Sequence, residues 1–116
     1  MKRGGRLVHQ FFGSVIETPP PAIIAAQSFF PGSMPAAYPS QIRACERAGL
    51  RSSHRSIDDY RPTLRAWFDN LVANRHRAIE LVGVQTYNKY LVFFPASTRM
   101  FDDGIVMLAR YVLEKR

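Results

Sequence analysis

Proline is concentrated in one stretch of this 116-residue chain, and that concentration limits the possible folds more than any other feature. Six of the eight prolines lie within residues 17–39. Because each proline fixes φ and removes a backbone donor, we expect this stretch to be mostly irregular. A short helical turn can form at 22–27, and FFPG at 29–32 predicts a turn. Regular elements are therefore expected on either side of the stretch.

The segments that flank the prolines favour two strands and a helix. The apolar and aromatic run that follows Gly4-Gly5 predicts a strand over 6–12, buried on both faces. Ser40 is a suitable N-cap for a helix over 41–48, which Gly49 would end in the left-handed region. The next run, LRSSHRSI at 50–57, predicts a polar strand near the edge of a sheet.

The second half of the chain predicts two helices and a final strand. A helix beginning near Pro62 is indicated by apolar residues at i, i+3, i+4, i+7 and i+8: Leu64, Trp67, Phe68, Leu71 and Val72. Its apolar face can extend to Gly83. A second helix carries Tyr87, Tyr90, Leu91 and Phe94 on one side. Pro95 is expected to kink or break that helix.

The chain ends on a turn and a strand. Residues 102–104, Asp-Asp-Gly, predict the turn, and VMLARYVLEK at 106–115 predicts the strand. The full order of strand, irregular segment, helix, strand, two helices and strand is typical of an α/β fold. No GxGxxG or GxxxxGK[ST] phosphate-binding motif is present in these residues.

Composition excludes several classes of protein. No apolar run approaches the roughly 20 residues of a membrane span, and the N-terminus lacks the apolar core of a signal peptide. Cys45 is the only cysteine, which rules out a disulfide scaffold, and no Cys/His cluster has zinc-ligand spacing, so we expect no metal site. The formal charge of +7, with 13 arginines among 16 cations, favours anionic partners without choosing among them.

Five stretches resemble, in order and spacing, the C-terminal part of the cyclopropane-fatty-acyl-phospholipid synthases, which include the cyclopropane mycolic acid synthases. They are GGRLVHQ (4–10), FFPGSMP (29–35), DYRPTLRAWFDNL (59–71), TYNKYL (86–91) and MFDDG (100–104). The resemblance implies the C-terminal half of a Rossmann-like, S-adenosylmethionine (SAM)-dependent methyltransferase sheet. It comprises the last three strands with flanking helices, and the chain-terminal strand inserts antiparallel between the other two.

The resemblance also implies a chemistry. Enzymes of this family transfer a methyl group from SAM to a cis double bond of an acyl chain, and loss of a proton from the resulting carbocation closes a cyclopropane ring. A bound bicarbonate is thought to take that proton. His9 and Tyr60 match two of the bicarbonate-binding residues, and imidazole N–H and phenol O–H groups are suitable donors to a small oxyanion. Phe11 stands where the family has an isoleucine whose backbone contacts the ion.

Compared with the family pattern, these residues lack several parts that methyl transfer requires. The SAM-binding loop, the acidic ribose contact and other bicarbonate ligands of the family precede the part matched here. We therefore expect residues 1–116 to be the C-terminal portion of the domain, without the SAM-binding N-terminal half and with little or no activity alone. Without that half, or a partner that supplies it, the strand at 6–12 would expose one edge. Asp59, Pro62 and Arg110 replace the usual family residues.

Each candidate residue also has a structural interpretation. His9 can be a core histidine and Tyr60 a packing tyrosine. An aromatic stripe along the two predicted helices is more typical of core than of a lipid tunnel: Trp67, Phe68, Tyr87, Tyr90, Phe93 and Phe94. Asp58-Asp59 more often caps a helix than binds metal or works as an acid–base pair. Cys45 is expected to be inert, and the arginines at 43, 47, 51 and 55 to form a solvated face rather than a site for anionic headgroups.

The leading functional hypothesis is a lipid methyltransferase acting on an unsaturated phospholipid or a mycolic-type acyl chain, with SAM and bicarbonate. The alternative is a non-catalytic basic module that binds anionic lipid or a protein partner. Nucleic-acid binding is disfavoured because no recognised motif accompanies the charge. We expect a cytoplasmic protein, with peripheral association at an anionic inner membrane surface.

Overall fold

A computed structural model describes residues 1–116, including every side chain except that of Ala22. Four strands and four helices alternate along the chain. Their order is β1 (Arg6–Ser14), α1 (Pro20–Phe29), β2 (Ala36–Ala37), α2 (Tyr38–Arg47), β3 (Leu50–Asp58), α3 (Arg61–Ala73), α4 (Arg75–Asp102) and β4 (Val106–Lys115). The α/β class and the three long predicted strands are confirmed.

The chain divides into two compact units, which we call the sheet unit and the helical unit. The sheet unit comprises Met1–Asp58 and Ile105–Arg116, and the helical unit comprises Asp59–Gly104. Ten of the sixteen cations but only four of the nine carboxylates belong to the sheet unit, which therefore carries most of the net charge.

The sheet has the strand order β2-β1-β4-β3. The last strand, β4, lies between β1 and β3 and is antiparallel to both, as the family resemblance predicted. On its other edge β1 pairs only through its last two residues, with the two-residue strand β2. The predicted open edge of β1 is therefore confirmed, and β3 lies at the opposite edge of the sheet.

The core of the sheet unit lies on one face of β4. Ala109, Tyr111 and Leu113 are buried there, and the side chains of Tyr38, Ile42 and Cys45 from α2 pack against them. This packing follows from the alternation of side chains along a central strand, which places every second residue beneath the helix.

The prediction that β1 is buried on both faces is wrong. Val8 and Phe12 pair in register with Val112 and Leu108, on the face opposite the α2 core. Val8 is 65% exposed and Phe12 is also exposed. A continuous apolar run did not distinguish a strand covered on both faces from one whose core lies on one face.

The predictions for the proline-rich stretch and for the helix at 41–48 need correction. Residues 20–29 all form α1, and its helical conformation is possible because Pro20 and Pro21 lie in the first turn, where proline is tolerated. Helix α2 begins at Tyr38 rather than 41, with Ala37 at the N-cap position. Ser40 instead donates a hydrogen bond to Glu17. The turn at 29–32 and the left-handed Gly49 (φ 72°) are confirmed.

The helical unit is a pair of antiparallel helices. Ring contacts of Tyr60 with Phe101 and of Trp67 with Phe94 show that the later part of α4 runs back along α3. The helix predicted to reach Gly83 ends at Ala73 instead. Residues 75–102 are helical except at Gly83, whose φ of 81° is left-handed.

Pro95 does not break α4, which continues to Asp102. The hydroxyl of Thr98 donates to the carbonyl of Phe94 in the turn around the proline. The predicted turn at 102–104 follows the helix, with Gly104 in the left-handed region.

Candidate functional site

His9 lies in the middle of β1, on the same face as the α2 core. It pairs in register with Tyr111 of β4. Its ring is half-buried and stacks on Phe11, with 5.1 Å between ring centroids and 22° between planes. Phe11 in turn stacks on Tyr111 at 5.9 Å. The aromatic neighbours limit the orientations of the imidazole.

Two tyrosines and an arginine extend this aromatic row, and sequence reasoning did not identify the tyrosines or place Arg55 beside them. Arg55 donates to the hydroxyl of Tyr38 at 3.3 Å. Burial, together with a hydrogen bond to Tyr38, raises the pKa of Tyr111, so this phenol stays protonated well above neutral pH. Only the pairing of Arg55 with Tyr111 across β3 and β4 brings these groups together, and a single sequence carries no signal for that register.

Tyr60 stands between β3 and α3, where it is the N-cap residue of the helix. Its ring meets Trp67 edge-on at 5.8 Å and 85°, and lies 5.8 Å from Phe101. Burial raises the pKa of Tyr60. The hydroxyl is therefore protonated at neutral pH and can donate a hydrogen bond to an anion.

The two carboxylates before Tyr60 have separate structural partners. Asp59 accepts the backbone N–H of Arg61 at 3.0 Å and pairs with its guanidinium at 2.8 Å. These hydrogen bonds hold the pKa of Asp59 below its usual range. Arg61 also reaches Asp102 at 2.9 Å, which joins the start of α3 to the end of α4. Asp59 therefore accepts the N–H of the first residue of α3, whereas the N-cap position itself is occupied by Tyr60.

Asp58 pairs instead with Arg110 of β4, at 2.9 Å. Arg110 also donates to the amide oxygen of Gln10 on β1, at 3.1 Å. The arginine that departs from the family pattern therefore links the three long strands. Its neighbours point to a structural role.

The four regularly spaced arginines do not form one helix face. Arg43 and Arg47 lie on α2, whereas Arg51 and Arg55 lie on β3. Arg43 pairs with Glu17 at 2.8 Å, and Arg55 contacts Tyr38. Cys45 is half-buried among the residues that pack on the core, which agrees with an inert thiol.

An open groove of about 340 Å³ lies within the helical unit, between α3 and α4. Leu64, Phe68, Phe94 and Pro95 line it together with Arg65, Thr98, Arg99 and Asp102. In the part of the chain that the structure describes, no three His, Cys, Asp or Glu side chains converge to hold a metal ion. No described helix combines the length and the apolar character that crossing a bilayer requires.

The comparison with protein families identifies the chain. Residues 2–111 match the family model for mycolic acid cyclopropane synthetase. The chain belongs to this family. Cyclopropane mycolic acid synthase 2 from Mycobacterium bovis is 36% identical over 62 residues, which are 53% of this chain and 20% of that protein.

Solved structures of cyclopropane synthases share the fold. The cyclopropane synthase MmaA2 from Mycobacterium tuberculosis matches with a TM-score of 0.83 and 17% identity, over 99% of this chain and 46% of that one. The mycolic acid cyclopropane synthase CmaA1, complexed with SAH and CTAB, matches with a TM-score of 0.82 and 19% identity, over 99% of this chain and 46% of that one. The sheet and helices are thus part of the methyltransferase fold of these proteins, and the chain spans less than half of their length.

The strand-to-helix connections do not fit a SAM-binding loop. Such a loop needs a glycine-rich turn between the end of a strand and the start of a helix. The connection from β1 to α1 is Val-Ile-Glu-Thr-Pro, β2 passes directly into α2, and β3 is joined to α3 by Asp59-Tyr60. Among the described residues, none of these connections contains glycine, so we derive no methyl-transfer step from them.

His9 belongs to the sheet unit and Tyr60 to the helical unit. Each lies within its own unit, where it carries a donor group among aromatic rings.

Proposed function

We propose that this chain forms the C-terminal portion of a SAM-dependent lipid methyltransferase that modifies a cis double bond of an unsaturated acyl chain. The observation that carries the proposal is the family match over residues 2–111. The crystal structure of CmaA1 supports a cofactor of this type, since that relative is complexed with SAH. SAM itself would be held by a polypeptide segment with a glycine-rich loop, either in the same protein or in a partner.

His9 and Tyr60 are proposed to bind a small oxyanion such as bicarbonate. An imidazole N–H and a protonated phenol are both donors, and the raised pKa of Tyr60 keeps its proton in place. The oxyanion would stabilise the carbocation of the methylated acyl chain and take the proton whose loss closes the ring. Fixed dipoles in a dry environment favour such a cation–anion arrangement.

The apolar part of the groove between α3 and α4 supports an apolar substrate for the helical unit. Four of its eight lining residues are apolar, and acyl chains bind in apolar cavities because burial removes their surface from water. The proposed substrate is an unsaturated phospholipid or a mycolic-type acyl chain.

A chimera tests this function. The chain would replace the matching C-terminal part of CmaA1, and transfer of radiolabel from methyl-labelled SAM to unsaturated lipid would be measured. We expect turnover by the chimera and none by residues 1–116 alone. His9→Ala and Tyr60→Phe should each lower kcat by about 10²-fold or more, as expected when a transition-state donor is removed.

Matched substitutions provide the controls. His54→Ala on β3 and Tyr90→Phe on α4 make the same chemical changes at other positions of the same two units. If the four variants turn over equally, the oxyanion role of His9 and Tyr60 is excluded. A correctly folded chimera that transfers no methyl group would overturn the proposed activity itself.

A further inference from the structure

The helical unit ends in an unusually apolar tip. Because α3 and the later part of α4 are antiparallel, the chain reverses direction between Ala73 and Val84. Asn74 ends α3, and Gly83 interrupts α4 with φ 81° and ψ 160°. Glycine is needed at that position because other residues rarely adopt this conformation. We call residues 79–84 the hairpin tip.

The hairpin tip presents aliphatic side chains to solvent. Leu81, Val82 and Val84 are 66%, 54% and 51% exposed. Single exposed aliphatic residues are ordinary on protein surfaces, but three within four residues form a local patch. Turns between helices are usually polar, so this composition requires a physical explanation.

Cations lie directly behind the hairpin tip. Arg75 and Arg77 are exposed on the first turn of α4, and His76 lies between them. Arg77 precedes Leu81 by four residues, which places both on one side of the helix and separates them by about 6 Å along its axis. The carboxylate of Glu80 lies 3.5 Å from Arg77 and is the only acidic group between Ala73 and Val84.

We propose that the hairpin tip docks on an anionic lipid bilayer. Leu81, Val82 and Val84 would enter the boundary between headgroups and acyl chains, and Arg75 and Arg77 would contact the lipid phosphates. Interfacial segments bury their apolar side about 5–10 Å deep and keep their cations at headgroup level, which agrees with the spacing of Arg77 and Leu81.

The size of the patch favours a membrane over a protein partner. Three aliphatic side chains cover far less than the roughly 800 Å² that each partner buries in a standard protein interface. Shallow insertion into a bilayer needs no such area, and the neighbouring arginines add attraction to anionic lipid. This docking does not depend on the proposed methyltransferase activity.

Vesicle co-flotation of the full chain tests the docking. We expect binding to vesicles of phosphatidylcholine and phosphatidylglycerol that weakens as salt rises, and little binding to phosphatidylcholine alone. The double variant Leu81→Asn/Val82→Asn should lower binding about tenfold or more. Arg75→Gln/Arg77→Gln should lower it by a similar factor and reduce its salt dependence.

Val92→Asn is the matched control. Val92 is 68% exposed on the same helix but lies outside the hairpin tip. Equal binding by the tip variant and the Val92 variant would overturn the proposal. So would a change in oligomeric state of the tip variant without vesicles, since that would assign the patch to a second copy of the chain.

A depth measurement keeps the test valid if a variant folds poorly. In a Cys45→Ser background, Leu81→Cys and Val92→Cys would each carry a polarity-sensitive fluorophore. With anionic vesicles, the label at 81 should shift to the blue and be quenched by brominated lipid, whereas the label at 92 should not change. A label at 81 that stays in water while the protein binds vesicles would place the contact elsewhere.

Different results would contradict the membrane docking and the proposed methyltransferase activity. In the CmaA1 chimera, the tip variants should leave turnover of detergent-dispersed lipid unchanged and lower turnover of vesicle lipid. Loss of all methyl transfer with intact vesicle docking would contradict the proposed activity alone.

Discussion

The sheet unit and the helical unit build their interiors in different ways. In the sheet unit, the central strand β4 is paired on both edges and buries Ala109, Tyr111 and Leu113 beneath α2. In the helical unit, aromatic rings of α3 and α4 contact one another, yet Trp67 remains 46% exposed. A strand between two neighbours buries alternate residues along its length, whereas a helix with one partner buries a single line of side chains.

Truncation of Leu113 should give the largest effect. This side chain is almost completely buried, so Leu113→Ala is expected to lower the free energy of unfolding by about 2–5 kcal/mol. Urea unfolding of the full chain, followed by circular dichroism, measures the change. Ile57→Ala on the edge strand β3 is the control, since Ile57 is exposed and should change stability little. A similar loss in both variants would mean that β4 does not form the core.

Substitutions at Leu64 and Trp67 test whether a buried aliphatic side chain or a half-exposed aromatic ring contributes more to the stability of the helical unit. Leu64 is buried, and Leu64→Ala should cost about 2–5 kcal/mol. Trp67 makes two ring contacts but is half-exposed, so Trp67→Ala should cost less, roughly 1–3 kcal/mol. The same urea titration applies, with Trp67→Phe as the variant that keeps a ring. A larger loss at Trp67 than at Leu64 would show that the rings, not the buried leucine, hold the helices together.

The smallest effect that we expect is a difference between the two units in how their stability falls at alkaline pH. Tyr111 and Tyr60 both have a raised pKa, through burial and, for Tyr111, also through its hydrogen bond to Tyr38. The unfolded chain loses these protons first, near pH 10, so their contribution to stability is complete below about pH 10 and falls above it. Tyr111→Phe should flatten this fall more than Tyr60→Phe.

Unfolding free energies measured between about pH 8 and pH 11 would check this order. Tyr90→Phe serves as the control, because it removes the same hydroxyl group from another tyrosine of the helical unit. An alkaline fall that is unchanged in Tyr111→Phe would contradict the raised pKa of that residue.

Patterns in the local sequence were sufficient to predict the long strands and most turns. The strand at 106–115 begins and ends as predicted, and Gly49 and Gly104 occupy the left-handed positions that their turns require. These features depend on neighbouring residues, which a single sequence contains.

The prolines show where local reasoning was insufficient. Pro20 and Pro21 begin a helix instead of preventing one, and Pro95 lies within a helix that continues for seven more residues. Proline is tolerated in a first turn, and packing of a long helix can compensate for one missing hydrogen bond. The same limit applies to Ser40, which binds Glu17 instead of capping α2.

By itself, the sequence determined the α/β class, the three long strands and the family, and it predicted His9 and Tyr60 as the donor residues. Tertiary structure alone decided that Phe11 stacks on Tyr111, that Arg110 links Gln10 to Asp58, and that Leu81 and Val82 face solvent at a hairpin tip. The physical reason is the range of the interactions. Turns and periodic patterns act over a few residues, whereas strand register and helix reversal join residues about a hundred or some forty positions apart.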